Sequence, residues 1–151
     1  NGNGFYILWP SNPQKTANLI KKYLQIRFRL KNVGVIITDS KSTPLRWGVT
    51  GICLAYSGFY GLNSYIGSPD LFGRALRVTK VNVADALAAS AVVVMGEGNE
   101  QTPLVIISDT SFVRFNPLPP SKKELEGFKI DIKDDLYAPI LLKANWRKGG
   151  R

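Results

Sequence analysis

Residues 33–38 of this chain read V-G-V-I-I-T, an apolar, β-branched block that ends at Asp39. A block of this length and composition predicts a buried strand over 33–38. Asp39 then falls where the strand delivers it to a sheet edge. A carboxylate there can hold a divalent cation or polar ligand in a fixed direction, or it can simply end the strand. Residue type alone leaves both readings open.

The segments around this block alternate in character. Phe5–Trp9 reads as a strand. Ser11-Asn12-Pro13 is a helix start, with a polar cap followed by Pro at the first helical position. Leu19, Ile20, Tyr23 and Leu24 recur at helical spacing, predicting a helix over 13–28. Ser40–Gly48 reads as loop, Val49–Ala55 as a strand, and Ser57–Pro69, with its glycines and tyrosines, as an ordered functional loop. Ala75–Val81 reads as a strand and Asn82–Met95 as an alanine-rich buried helix. Leu104–Ser108 (LVIIS) reads as a buried strand. Ser121 begins a short helix, with Glu124 completing a capping box. Asp134–Lys143 reads as a last helix, and a tail over about 144–151 as frayed. Mixed helices and strands leave a doubly wound sheet and an α+β arrangement both open.

Composition narrows the chemistry. The chain has 151 residues and 44% hydrophobic content, enough for one domain spanning 1–151 with its own core. No segment approaches the roughly 18 consecutive apolar residues of a membrane span, so no membrane partner is expected. Histidine is absent, which excludes Ser-His-Asp and Cys-His catalysis and His-ligated metals within this sequence. Cys53 is the single cysteine, so no internal disulfide can form, and a reducing, cytoplasmic setting is expected.

The net charge of +9, from 20 Lys+Arg against 11 Asp+Glu, favours anionic partners. The densest basic cluster, Lys21–Lys31, interleaves its charges with Tyr23, Leu24, Ile26, Phe28 and Leu30, which read as core positions. It is read as a solvated helix face rather than a nucleic-acid surface.

The glycine pairs Gly48/Gly51 and Gly58/Gly61 match neither G-x-x-x-x-G-K-[ST] nor G-x-G-x-x-G, so any nucleotide is held by another scheme. Among the carboxylates, Asp39, Asp70, Asp85, Glu97 and Glu100 lie at or near ends of expected elements. Asp85 reads as structural, meeting a helix dipole. Asp70 reads equally as the cap of an Asp70–Gly73 turn and as a ligand contact. Arg46 and Arg74 each follow a turn, where either can grip a phosphate or carboxylate bidentately.

The stretches GVIITDS, PLRWGVTGICLAYSG and YIGSPDLFGRALRVTKVNVADALAASAVVVMGEGNEQTPLVII, in this order and spacing, resemble the coenzyme F-420-0:γ-glutamyl ligase family. The run D-L-F-G-R, the V-A-D-x-L-A-A-x-A helix and the V-M-G-E turn make the resemblance specific. It runs from about Gly4 to Ile107 and continues less clearly to Leu142.

The resemblance implies an α+β fold, a mixed sheet with packed helices, and a homodimer. It implies GTP with Mg²⁺ or Mn²⁺, L-glutamate, and a deazaflavin coenzyme precursor as the anionic acceptor. Asp39 and Ser40 match the family's metal-binding pair. Ser42 and Arg46 match positions of its nucleotide loop, with Ser42 standing for a glycine and Thr43 for an arginine. Lys41 lies beside them as a further cationic contact. Asp70, Gly73 and Arg74 match a D-x-x-G-R motif and are further candidate ligand contacts. Family members also carry a substantial N-terminal portion with another metal-binding aspartate and part of the nucleotide site. The chain is therefore expected to be the C-terminal part of a longer ligase-like protein, inactive alone. The alternative is a divergent, non-catalytic member that binds an anionic ligand or protein partner.

Overall fold

The computed structural model describes residues 8–147. Helix α1 (Pro13–Phe28) lies where the sequence predicts it. The side chain of Asn12 accepts the Lys15 N–H at 2.9 Å, and Pro13 occupies the first turn, where its missing N–H costs nothing. Arg29 closes the helix in the left-handed region at φ 53°. The helix packs through Ala17 and Lys21, whose ammonium donates to the Pro117 carbonyl. The expected core positions Tyr23, Ile26, Phe28 and Leu30 are exposed instead. The small Ala17 lets the helix approach closely on that side, and no apolar layer among the described residues covers the other.

Strands β1 (Val35–Ser42) and β2 (Val49–Ser57) form an antiparallel hairpin. The first strand starts later and runs further than 33–38, so the expected 40–48 loop shrinks to 43–48. Asp39 pairs with Ile52 and Ser40 with Gly51; a bulge between Ile37 and Thr38 leaves Leu54 as the extra residue. Within the expected 57–69 loop, β3 (Leu62–Ser64) pairs antiparallel with β4 (Lys80–Asn82). The expected strand over 75–81 reduces to β4 and an isolated bridge from Pro69 to Ala75, because a bend at Arg77 and Val78 interrupts it.

Helix α2 (Val83–Met95) begins at the Asn82 cap as predicted. Its alanines allow the close approach that the sequence suggested. A Cβ on Gly51 would meet the Ala88 carbonyl oxygen at 2.3 Å. Helix α3 (Lys122–Glu126) carries the full Ser121/Glu124 capping box. Helix α4 (Ala138–Leu141) is much shorter than 134–143, because turns occupy 132–137 and Pro139 favours the first turn of a helix.

Leu104–Ser108 is no strand here: it joins no ladder, and Leu104 and Ile106 are 85% and 94% exposed. Of the expected Phe5–Trp9 strand, residues 5–7 lie outside the described part, and Leu8 and Trp9 are irregular and exposed. Of the tail, 144–147 are neither helix nor strand, and 148–151 lie outside the described part.

The class is α+β, with helices set against two small antiparallel strand pairs. The core gathers Tyr56, Phe59, Val83 and Ala84, with Ile36, Cys53, Leu87 and Phe128 packed around them. Among the described residues no helix is long and apolar enough to cross a membrane.

Candidate functional site

The β1–β2 hairpin projects its tip away from the core. All residues from Lys41 to Thr50 are exposed. The turn is closed by the Arg46 N–H donating to the Thr43 carbonyl at 3.3 Å, with Leu45 at φ 60° and Gly48 at φ 93°. Lys41 and Ser42 belong to the strand, opposite Thr50 and Val49. Ser42 is therefore held by ladder geometry rather than by the free loop its sequence suggested. Among the described residues neither Lys41 nor Arg46 has an ion-pair partner.

Asp39 is half-buried at the base of this tip. One carboxylate oxygen accepts the Ser40 N–H at 2.8 Å, and the other accepts the indole N–H of Trp9. Trp9 lies 30 residues away in sequence and no local motif pointed to it. A carboxylate has about four lone-pair sites, so two accepted bonds leave room for a cation.

Ser40 sits next to Asp39, but adjacent residues of a strand point to opposite faces. Ser40 pairs with Gly51, whose missing Cβ points at Ala88 of α2, so the Ser40 hydroxyl faces α2 and the Asp39 carboxylate faces away. Among the described residues no three His, Cys, Asp or Glu side chains converge to hold a metal. An oxygen-only site with one carboxylate fits a hard cation such as Mg²⁺, which keeps waters and takes its remaining ligands from substrate phosphates.

Asp70 and Arg74 lie on a separate arm, between β3 and β4. The Asp70 carboxylate accepts the N–H groups of Phe72 and Arg74, each at 2.8 Å, and its own carbonyl accepts the Gly73 N–H at 3.0 Å. This is the turn cap expected as one reading of Asp70. The Arg74 guanidinium lies over the Phe72 ring at 5.8 Å. Among the described residues no hydrogen bond or ion pair joins this arm to Asp39, Lys41 or Arg46.

Asp85 is structural, as its position suggested: it accepts the Cys53 N–H at 2.9 Å and the Asn82 amide at 2.7 Å. Burial, with the Asp85 charge adding to it, pushes the Cys53 thiol up to about 12, so the thiol stays protonated and unreactive near neutrality. Glu100 accepts the Gly98 N–H at 2.7 Å and closes the turn after α2.

A family model described as F420-0:γ-glutamyl ligase matches residues 1–109. A coenzyme F420:L-glutamate ligase of Methanococcus maripaludis (strain C7) is 50% identical over 107 residues, 71% of this chain and 42% of that relative. The protein of the same name from Methanocaldococcus jannaschii is 47% identical over 98 residues, 65% of this chain and 39% of its own length. That of Methanopyrus kandleri is 37% identical over 124 residues, 82% of this chain and 46% of its own length. The chain thus spans less than half the length of these curated relatives. With a family model covering most of its residues, the chain belongs to the F420-0:γ-glutamyl ligase family.

Proposed function

We propose that this chain contributes the cation- and triphosphate-facing part of a GTP-dependent γ-glutamyl ligase. The ligase adds L-glutamate, through its amine, to the carboxylate of a deazaflavin coenzyme precursor. One observation carries the reading: in a chain of this family, the half-buried Asp39 carboxylate stands at the base of an exposed tip bearing Lys41 and Arg46, cations with no ion-pair partner among the described residues.

The chemistry runs in two displacements. A precursor carboxylate oxygen attacks the γ-phosphorus of GTP, the bond to GDP breaks, and an acyl phosphate forms. The glutamate amine then attacks the acyl carbon, phosphate leaves, and the amine loses a proton as the amide forms. Mg²⁺ or Mn²⁺ held by Asp39 supplies neutralisation of phosphate charge when bound. Arg46 offers the planar fork for bidentate phosphate contact, Lys41 a point charge, and Ser42 a hydroxyl donor. Arg74, already stacked on Phe72, offers a guanidinium to a carboxylate of glutamate or of the coenzyme. The same reading carries a homodimer.

The test is incubation of the full-length ligase to which these residues contribute with GTP, Mg²⁺ or Mn²⁺, L-glutamate and the coenzyme precursor. Release of GDP with a mass gain of one glutamate, both lost in Asp39→Ala, is expected. A second reading, a non-catalytic anion binder, rests on Ser42 and Thr43, which stand where the family pattern has glycine and arginine. GTP binding without GDP release would favour it.

A further inference from the structure

The outer face of α1 carries apolar and basic side chains that the proposed chemistry does not use. Leu19, Tyr23 and Ile26 recur at i, i+4 and i+7, which places them in one stripe along the helix. They are 57%, 60% and 70% exposed. At 3.6 residues per turn the stripe lies opposite Ala17 and Lys21, the two residues that the helix buries. It is therefore the side of α1 turned away from its own packing.

Cations border this stripe on both sides. By the same helical spacing Lys15 and Lys22 fall along one margin and Arg27 along the other, and Arg29 and Lys31 follow past the helix end. All five are exposed, and none has an ion-pair partner among the described residues. Asp39 is the first acidic residue of the sequence, so no carboxylate within or beside α1 in the chain offsets them.

We propose that α1 docks flat on an anionic lipid surface, laying Leu19, Tyr23 and Ile26 into the headgroup boundary while the flanking cations meet lipid phosphates. The stripe and its margins suit that partner together. A bilayer surface takes apolar side chains below the level of its charges, and Lys and Arg stems lie along apolar surface while their heads reach the phosphates. The clustered cations add attraction to anionic lipid. Tyr23 brings an apolar ring with a polar tip, which suits such a boundary. Nucleic acid is a poorer occupant, because Leu19 and Ile26 hold the centre of the face and can bond neither a phosphate nor a base edge. A second copy of α1 is poorer too, since two-fold pairing of this face sets cations against cations with no carboxylate to meet them. The expectation of no membrane partner rests on the missing apolar span, which a helix lying in the surface plane does not need.

Co-sedimentation of the 151-residue chain with lipid vesicles tests this. Vesicles of equal parts phosphatidylcholine and phosphatidylglycerol are expected to bind it at least about tenfold more tightly than phosphatidylcholine alone, and less tightly as salt rises. Leu19→Gln combined with Ile26→Gln changes only exposed positions, so the melting temperature stays and vesicle affinity falls at least about tenfold. Lys22→Gln combined with Arg27→Gln lowers the affinity similarly. Failure to sediment with the anionic vesicles overturns the proposal. Binding that the charge variant loses and the apolar variant keeps is adsorption by net charge alone and overturns it as well. Displacement from the vesicles by single-stranded RNA, whose own binding only the charge variant weakens, assigns the face to nucleic acid. A concentration-dependent dimer that the apolar variant abolishes, seen by sedimentation velocity, assigns it to a second copy. Either result overturns the proposal equally.

Discussion

The carboxylate of Asp85 accepts the backbone N–H of Cys53 at 2.9 Å, across 32 residues of sequence. This bond clips the first turn of α2 to the middle of β2, and the Asn82 amide, 2.7 Å from the other carboxylate oxygen, holds Asp85 in place. Asp85→Ala leaves the Cys53 N–H without its partner and removes a favourable charge from the helix start. A loss of about 2–3 kcal/mol is expected. Urea unfolding of the variant checks this, and an unchanged midpoint would show that water replaces the carboxylate at no cost.

The same contact bears on pH. Burial first, and the Asp85 charge second, raise Cys53 from 9.0 to about 12. Burial, then the Glu124 charge, raise Tyr56 from 10.0 to about 12. Both groups have folded values above their unfolded ones, so below pH 9 both states keep the protons and stability is undiminished. As pH rises from 9 towards 12 the unfolded chain releases protons that the folded chain retains, and stability falls by at most about 1.4 kcal/mol per unit for each group. Cys53→Ala flattens the decline between pH 9 and 10, measured by urea unfolding across that range. Iodoacetamide at pH 8 is expected to leave native Cys53 unmodified and to label it only after unfolding.

Two glycines of one hairpin separate packing from backbone conformation. Gly51→Ala drives a methyl to 2.3 Å from the Ala88 carbonyl oxygen, a backbone atom that cannot step aside without moving α2. It is expected to cost about 3 kcal/mol or more. Gly48→Ala meets nothing within 4 Å and is penalised only for its φ of 93°, about 1–2 kcal/mol. Thermal melts of the two variants should rank in this order.

Arg46 and Asp39 divide the proposed anion site. Arg46→Ala touches no packed contact and should change stability by less than about 0.5 kcal/mol while weakening GTP binding at least about tenfold, read by calorimetry. Because the Trp9 indole donates to Asp39, Mg²⁺ or Mn²⁺ binding there should change the tryptophan emission. Trp9→Phe should abolish that response and leave cation affinity measurable by calorimetry. An emission change that persists in Trp9→Phe would place the cation elsewhere.

Much of the local structure was legible from neighbouring residues. Asn12-Pro13 marked the start of α1, Asn82 that of α2, and Ser121 with Glu124 that of α3, because a cap is settled within three or four positions. Asp85 as a helix-start carboxylate and Asp70 as a turn cap were legible for the same reason. The Trp9–Asp39 bond, the opposite facing of Asp39 and Ser40, and the bulge that skips Leu54 were not. Each depends on a register between segments distant in sequence.

The clearest divergences are Leu104–Ser108 and the outer face of α1. The LVIIS run has strand composition, yet a strand exists only where another edge meets it, and among the described residues none does. Tyr23 and Ile26 have core composition, yet the helix buries Ala17 and Lys21 instead. Composition and short-range spacing thus determined which segments could be helices, caps and strands, and a chemistry without histidine, while the α+β class came with the family resemblance. Tertiary structure alone decided which edges are paired, which apolar faces are covered, and that Asp39 looks away from α2. Pairing and burial join residues whose separation along the chain carries no local signal.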